Sequence, residues 1–110
     1  MKKFNVLFLD EVDAFLENLD KKAKEKILFN IWKAKKVLDP ELFKKLKDEI
    51  WEFRTLYQKK QYRLLAFWDK RDKKNTLVIC ANGFIKKTQK TPEKEIEKVK
   101  NIMQEYFNNF

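Results

Sequence analysis

The sequence predicts an α+β domain with element order β-α-α-β-β-β-α and a mainly antiparallel sheet, two helices near the start and one at the end. Three observations carry this. Apolar residues recur at helical spacing from Val12 to Leu38 and again from Ile96 to Phe110, whereas between Trp51 and Trp68 the period drops to two. One glycine and two prolines leave regular elements joined by short turns. Finally, 110 residues suffice for a single domain spanning 1–110, and an aromatic content of 15% supplies bulk for its core.

Phe4 to Leu9 is short and apolar, as an opening strand would be. Asp10 is expected to cap the first helix, with Glu11 and Asp13 in the first turn, where carboxylates suit the helix dipole. Val12, Phe15, Leu16 and Leu19 form one stripe. The second helix begins near Asp20. Its expected buried face is Ala23, Ile27, Ile31, Ala34 and Leu38, widened by Leu28 and Trp32, and Asp39-Pro40 stops it. Residues 42–49 read as a lysine-rich connector, possible as one helical turn. Two alternating runs follow, Trp51 to Tyr57 and Tyr62 to Trp68, as a hairpin. After a polar turn from Asp69 to Asn75, Thr76 to Ile85 is a third β-rich run, expected to break near Asn82-Gly83. Thr91 is expected to cap the last helix with Pro92 at its first position; Ile96, Val99, Met103, Tyr106 and Phe110 give it one apolar face, widened by Ile102 and Phe107.

Composition removes several chemistries. Without histidine there is no Ser-His or Cys-His nucleophile pair, no imidazole base and no histidine metal site. The single cysteine, Cys80, can form neither an internal disulfide nor a thiolate zinc site, which fits a reducing cytosol and a cytoplasmic protein. The only glycine, Gly83, leaves no glycine-rich phosphate loop. No apolar run reaches the roughly 20 residues that span a bilayer, and the opening Met1-Lys2-Lys3 leads into no signal-peptide pattern.

The net charge of +9 is unevenly spread. Residues 53–92 hold eleven basic side chains against two acids, Asp69 and Asp72; the rest of the chain holds fifteen of each and balances to zero. Excess charge concentrated this way suits a polyanion, although a solvated lysine-rich surface has the same composition.

Taking Lys59-Lys60 as the hairpin turn pairs Tyr57 with Tyr62, Leu56 with Arg63 and Arg54 with Leu65. Trp51, Phe53, Thr55, Tyr57, Tyr62, Leu64, Ala66 and Trp68 then share an apolar face that packs on helices. The other face carries Glu52, Arg54, Leu56, Arg63, Leu65 and Phe67, with the two guanidinium groups as diagonal neighbours. Their repulsion is relieved either by Glu52, as a structural ion pair, or by an incoming phosphate. Lys86 and Lys87, at the end of the third run, are either solvated or set beside the arginines, because sequential antiparallel strands usually neighbour each other. In the second case one lysine loses basicity and can serve as a general base.

Three stretches carry a resemblance: Leu46-Lys47-Asp48-Glu49-Ile50-Trp51-Glu52-Phe53-Arg54, Tyr62-Arg63-Leu64-Leu65, and Asn82-Gly83-Phe84-Ile85-Lys86-Lys87-Thr88-Gln89-Lys90-Thr91-Pro92. With the element order, they resemble the RelE/HigB superfamily of toxin–antitoxin toxins, in particular the phage-derived HigB-like branch, whose last strand typically leads through His-Gly-Phe-x-Lys-Lys-Thr into the final helix. The likeness covers nearly the whole chain. Asn82 stands where many relatives have His, and Glu52 where some RelE proteins are basic.

The resemblance implies a ribosome-dependent mRNA endonuclease that uses no metal or cofactor, in which a 2′-hydroxyl attacks the adjacent phosphorus and the 5′-oxygen leaves. Carried over by position, Arg54 and Arg63 are expected as phosphate clamps and Lys86 or Lys87 as base or acid. Lys59, Lys60, Gln89 and Lys90 are expected to contact RNA. Tyr57, Tyr62 and Tyr106 are candidates for base stacking or proton donation, with core packing the alternative for the first two. The implied partners are ribosome, mRNA and a cognate antitoxin, often a helix-turn-helix protein whose acidic residues would mask the arginines; no membrane is implied. A gyrase-targeting toxin of the ParE kind and a catalytically silent RNA- or ribosome-binding module remain as alternatives on the same fold.

Overall fold

The computed structural model describes residues 4–109. Its elements are β1 (Asn5–Phe8), α1 (Asp10–Glu17), α2 (Lys21–Ala34), β2 (Phe43–Lys47), β3 (Ile50–Tyr57), β4 (Lys60–Asp69), β5 (Leu77–Lys86) and α3 (Glu93–Asn109). The α+β class and the mainly antiparallel sheet are as expected; the sheet has five strands in the order β1-β5-β4-β3-β2, and only the β1–β5 pair is parallel. Phe110, assigned above to the last helix, lies outside the described residues.

The strand missing from the expected order is β2. Its sequence, Phe43-Lys44-Lys45-Leu46-Lys47, has only two apolar side chains and no clean alternation, so it reads as a connector. It is an edge strand, where lysines facing solvent are the rule. It pairs with β3 through the two-residue turn Asp48-Glu49, both residues at positive φ (49° and 71°), the geometry that matches strand twist in a tight hairpin. Without asparagine or glycine at these positions, the turn carries no sequence signature.

The same geometry corrects the β3–β4 register. The turn is Gln58-Lys59, at φ 48° and 67°, rather than Lys59-Lys60. Arg54 therefore pairs with Arg63 directly, Thr55 with Tyr62 and Tyr57 with Lys60. Moving the turn by one residue slides the pairing by two, which keeps every side chain on its expected face. The hydrophobic pattern sets that parity and nothing finer.

One face packs on α1 and α2, joining Val12, Leu16, Ile27 and Ile31 to Phe53, Tyr62, Leu64 and Ala66. The other is covered over part of its length by α3, through Ile96 and Val99 against Leu65, Phe67 and Ile79. Strand β5 does not break at Asn82-Gly83. Its register shifts by one residue between Cys80 and Asn82, leaving Ala81 extra, a bulge that carries the strand on to Lys86. A Cβ on Gly83 would lie 2.9 Å from Leu64 Cδ2 and closer still to the Phe15 ring, so α1 requires glycine there.

Three helix details differ from expectation. Leu9, not Asp10, occupies the α1 cap position, with no side-chain cap; Asp10 is the first helical residue. Asp20 does cap α2, accepting from Ala23 N–H at 3.3 Å, but the helix ends at Ala34 and Leu38 is 86% exposed. Leu28 and Trp32 also face outwards, because Asn30 turns inwards and donates to Thr55 Oγ1 at 3.1 Å, rotating the buried stripe away from them. At α3 the Pro92 carbonyl accepts the first helical bonds, from Glu95 and Ile96, leaving the Thr91 side chain for another use. Among the described residues, no helix is long and apolar enough to cross a membrane.

Candidate functional site

Beyond the start of α3, the sheet face it covers is open, and here β2 to β5 present their charged side chains. Arg54 and Arg63 are directly opposed across β3 and β4, where like charges repel. The Glu52 carboxylate lies between them, with Oε2 3.6 Å from Arg54 Nε and Oε1 3.4 Å from Arg63 Nε. Of the two ways of relieving that repulsion, the carboxylate is the one present in the fold. The Thr91 hydroxyl donates to the same Oε1 at 2.5 Å, tying the segment before α3 to the sheet.

Burial grades these groups. Glu52 and Arg63 side chains are 3% and 2% exposed, whereas Arg54 is 27% exposed. The Arg63 Nη1 donates to the Tyr62 carbonyl at 3.0 Å and Nη2 to Gln61 Oε1 at 2.9 Å. Burial lowers the Arg63 pKa; Glu52 opposes that shift and Arg54 adds to it. Lys86, paired with Gln61 across β4 and β5, donates to the Gln89 carbonyl at 3.1 Å. Its pKa is also lowered, first by burial and then by the Arg63 charge, with Arg54 and Lys44 adding and Glu52 opposing.

These side chains line a groove of about 550 Å³ formed by Arg54, Gln61, Arg63, Lys86, Lys87, Thr88 and Gln89. A second groove, about 490 Å³, shares Arg54, Lys86 and Gln89 and continues past Lys90 to Lys44, Lys45 and Lys47 of β2. The fold therefore brings together Arg54, Arg63, Lys86, Lys87 and Gln89, with Lys90 in the adjoining groove. Lys59 and Lys60 are exposed at the hairpin tip and line neither.

Sequence reasoning missed Gln61, Thr91 and the β2 lysines. Gln61 falls just outside the expected run Tyr62 to Trp68, and Lys44 in the expected connector, because the turn and β2 lack a sequence signature; Thr91, expected as a helix cap, instead bonds Glu52 across the sheet. Tyr62 lies on the helix-packed face and Tyr57 packs there too, the core alternative weighed above. Tyr106 donates to Asp69 Oδ2 at 2.8 Å, at the far end of β4 from the groove. Asn82 is 4% exposed and donates to Glu95 Oε1 at 3.2 Å, binding β5 to α3. Burial pushes the Cys80 thiol far above its ordinary pKa, which removes it as a nucleophile.

The arrangement can hold an anion against several cations and offers an amine of reduced basicity beside them. A family model described as phage-derived protein Gp49-like (DUF891) matches residues 14–104. No curated protein matches the chain.

Proposed function

Because the chain belongs to the phage-derived Gp49-like family, a family of RelE-like toxins, we propose that it is the toxin of a toxin–antitoxin system, of the HigB-like branch, and a ribosome-dependent mRNA endonuclease. The observation that supports this reading is the groove into which Arg54, Lys86 and Lys87 project, with the buried Arg63 guanidinium as its wall.

Cleavage by 2′-hydroxyl attack needs three things: a base for that hydroxyl, cations for the charge gathering on the pentacoordinate phosphorus, and a proton for the departing 5′-oxygen. Arg54 is the more exposed guanidinium and meets a phosphate from the open side of the groove. Arg63, largely buried, reaches the groove only through the Nη2 edge on which Gln61 sits, and its charge disfavours the charged form of Lys86. Lys86 is then the base, and Lys87, exposed beside it, the proton donor. Gln89 and Lys90 extend the contact along the RNA backbone. The partners follow: ribosome-bound message as substrate, and a cognate antitoxin of helix-turn-helix type, encoded alongside, that sets carboxylates against the arginines.

Primer extension on ribosome-bound message after brief induction tests this. Discrete new 5′ ends are expected, absent from a Lys86→Ala, Lys87→Ala double variant that still folds. Intact message accompanied by inhibited DNA supercoiling would replace this reading with the gyrase-targeting one. Stable ribosome binding with no cut would replace it with the silent module.

A further inference from the structure

Each nitrogen of the Arg63 guanidinium faces a protein group. Its Nη1 partner, the Tyr62 carbonyl, belongs to the β4 backbone. The group beside its Nε, Glu52, is buried and pinned by Thr91. Its Nη2 partner is different in kind. Gln61 is a neutral, half-buried side chain on the wall of the groove itself, where water could satisfy its amide once it turns outward. Meanwhile the Nε–H groups of Arg54 and Arg63 are buried without a well-formed hydrogen bond: Glu52 is 3.6 Å from the first, and at 3.4 Å from the second it makes an ion pair but no hydrogen bond. Buried donors left unmade are rare and costly. This wall has more donor capacity than the resident acceptors use.

We propose that the Gln61 carboxamide oxygen stands in for a phosphoryl oxygen, and that an anionic phosphate entering the groove displaces it from Arg63 Nη2. This rests on reading the groove as a phosphate site and specifies how that site opens. The exchange is favourable because a phosphate brings a full negative charge, and a geometry suited to bidentate pairing, to a guanidinium that the amide oxygen meets only with a dipole. It is also directional. Gln61 faces Lys86 across the β4–β5 ladder, so its departure clears the space between the guanidinium and the amine. Gln61 thereby sets affinity for phosphate without taking part in proton transfer.

Inorganic phosphate, and separately a non-cleavable 2′-O-methyl trinucleotide, titrated into the full chain while the Arg63 Nε–H resonance is followed by NMR, test the proposal. Gln61→Ala is expected to tighten phosphate binding about three- to tenfold, since one competing hydrogen bond is gone. Gln61→Glu is expected to weaken it at least roughly tenfold, because a tethered carboxylate then holds the guanidinium. Melting curves for both variants establish that they fold. Unchanged affinity in both, or an Arg63 resonance that does not move with phosphate, overturns the proposal. Its failure is separable from that of the nuclease reading. If message is cut on ribosomes while both Gln61 variants bind like the parent, only the role of Gln61 is lost. If inorganic phosphate behaves as stated but the trinucleotide does not bind, Gln61 keeps its role and the RNA reading of the groove fails.

Discussion

At the residue scale, the proposed chemistry depends on one amine being less basic than its kind. Lys86 is disfavoured as a cation first by burial and then by Arg63, so its neutral fraction at a given pH exceeds that of a solvated lysine. A base with a lowered pKa gives a rate that rises with pH and levels off below the ordinary lysine value of about 10.4. Single-turnover cleavage on ribosomes should show that rise, and Lys86→Arg should abolish it with a loss on the order of 10²-fold or more, because a guanidinium keeps its proton. A rise that survives Lys86→Arg assigns the base elsewhere. The two arginines were legible as neighbours because they share a parity on adjacent strands. That Arg63 is buried and Arg54 accessible was not, since exposure here depends on Gln61, Glu52 and Thr91, which meet only after folding.

At the element scale, α2 shows where a hydrophobic pattern misleads. It has more apolar side chains than one face can bury, and the inward turn of Asn30 decides which are covered: Ile31 is 5% exposed while Trp32 is 53%. Chemical denaturation should separate them. Ile31→Ala should cost about 2–5 kcal/mol through a cavity against β3, whereas Trp32→Lys should stay within about 0.5 kcal/mol. Equal losses would mean that the outward face is buried too. The helices, the long strands and the face parity of the hairpin were readable from their periods, and the start of α2 from its Asp20 cap. The exact register and β2 were not, because both depend on left-handed turns built from Asp48-Glu49 and Gln58-Lys59. Such turns are usually announced by asparagine or glycine.

At the scale of the whole molecule, α3 is moored at both ends. Near its start, Asn82 bonds Glu95 and Thr91 bonds Glu52; near its end, Tyr106 bonds the buried Asp69. The Arg71 guanidinium, and after it the Tyr106 hydroxyl, hold the Asp69 carboxyl well below the usual carboxylate range, against the opposing effect of burial. A depressed pKa contributes stability that is present above the unfolded value of about 3.9 and is lost as pH falls towards the folded one. Asp69→Asn should therefore lower Tm at neutral pH by roughly 4–8 °C, the size of about 1 kcal/mol in a domain of this length. The difference from the parent should begin to narrow below about pH 4 and keep narrowing as the pH falls further; a gap constant down to pH 2 would show that the carboxylate charge contributes nothing.

The parallel pairing of β1 with β5 joins Asn5 to Leu77, so the first strand of the sheet in sequence, at its edge, pairs with the last. Until β5 has been synthesised, β1 has no partner, α1 lacks the glycine floor on which Phe15 rests, and Lys86 does not exist beside its arginines. A chain that has not yet reached β5 therefore lacks both the floor beneath α1 and the wall of the groove, and the closing strand is the precondition of each.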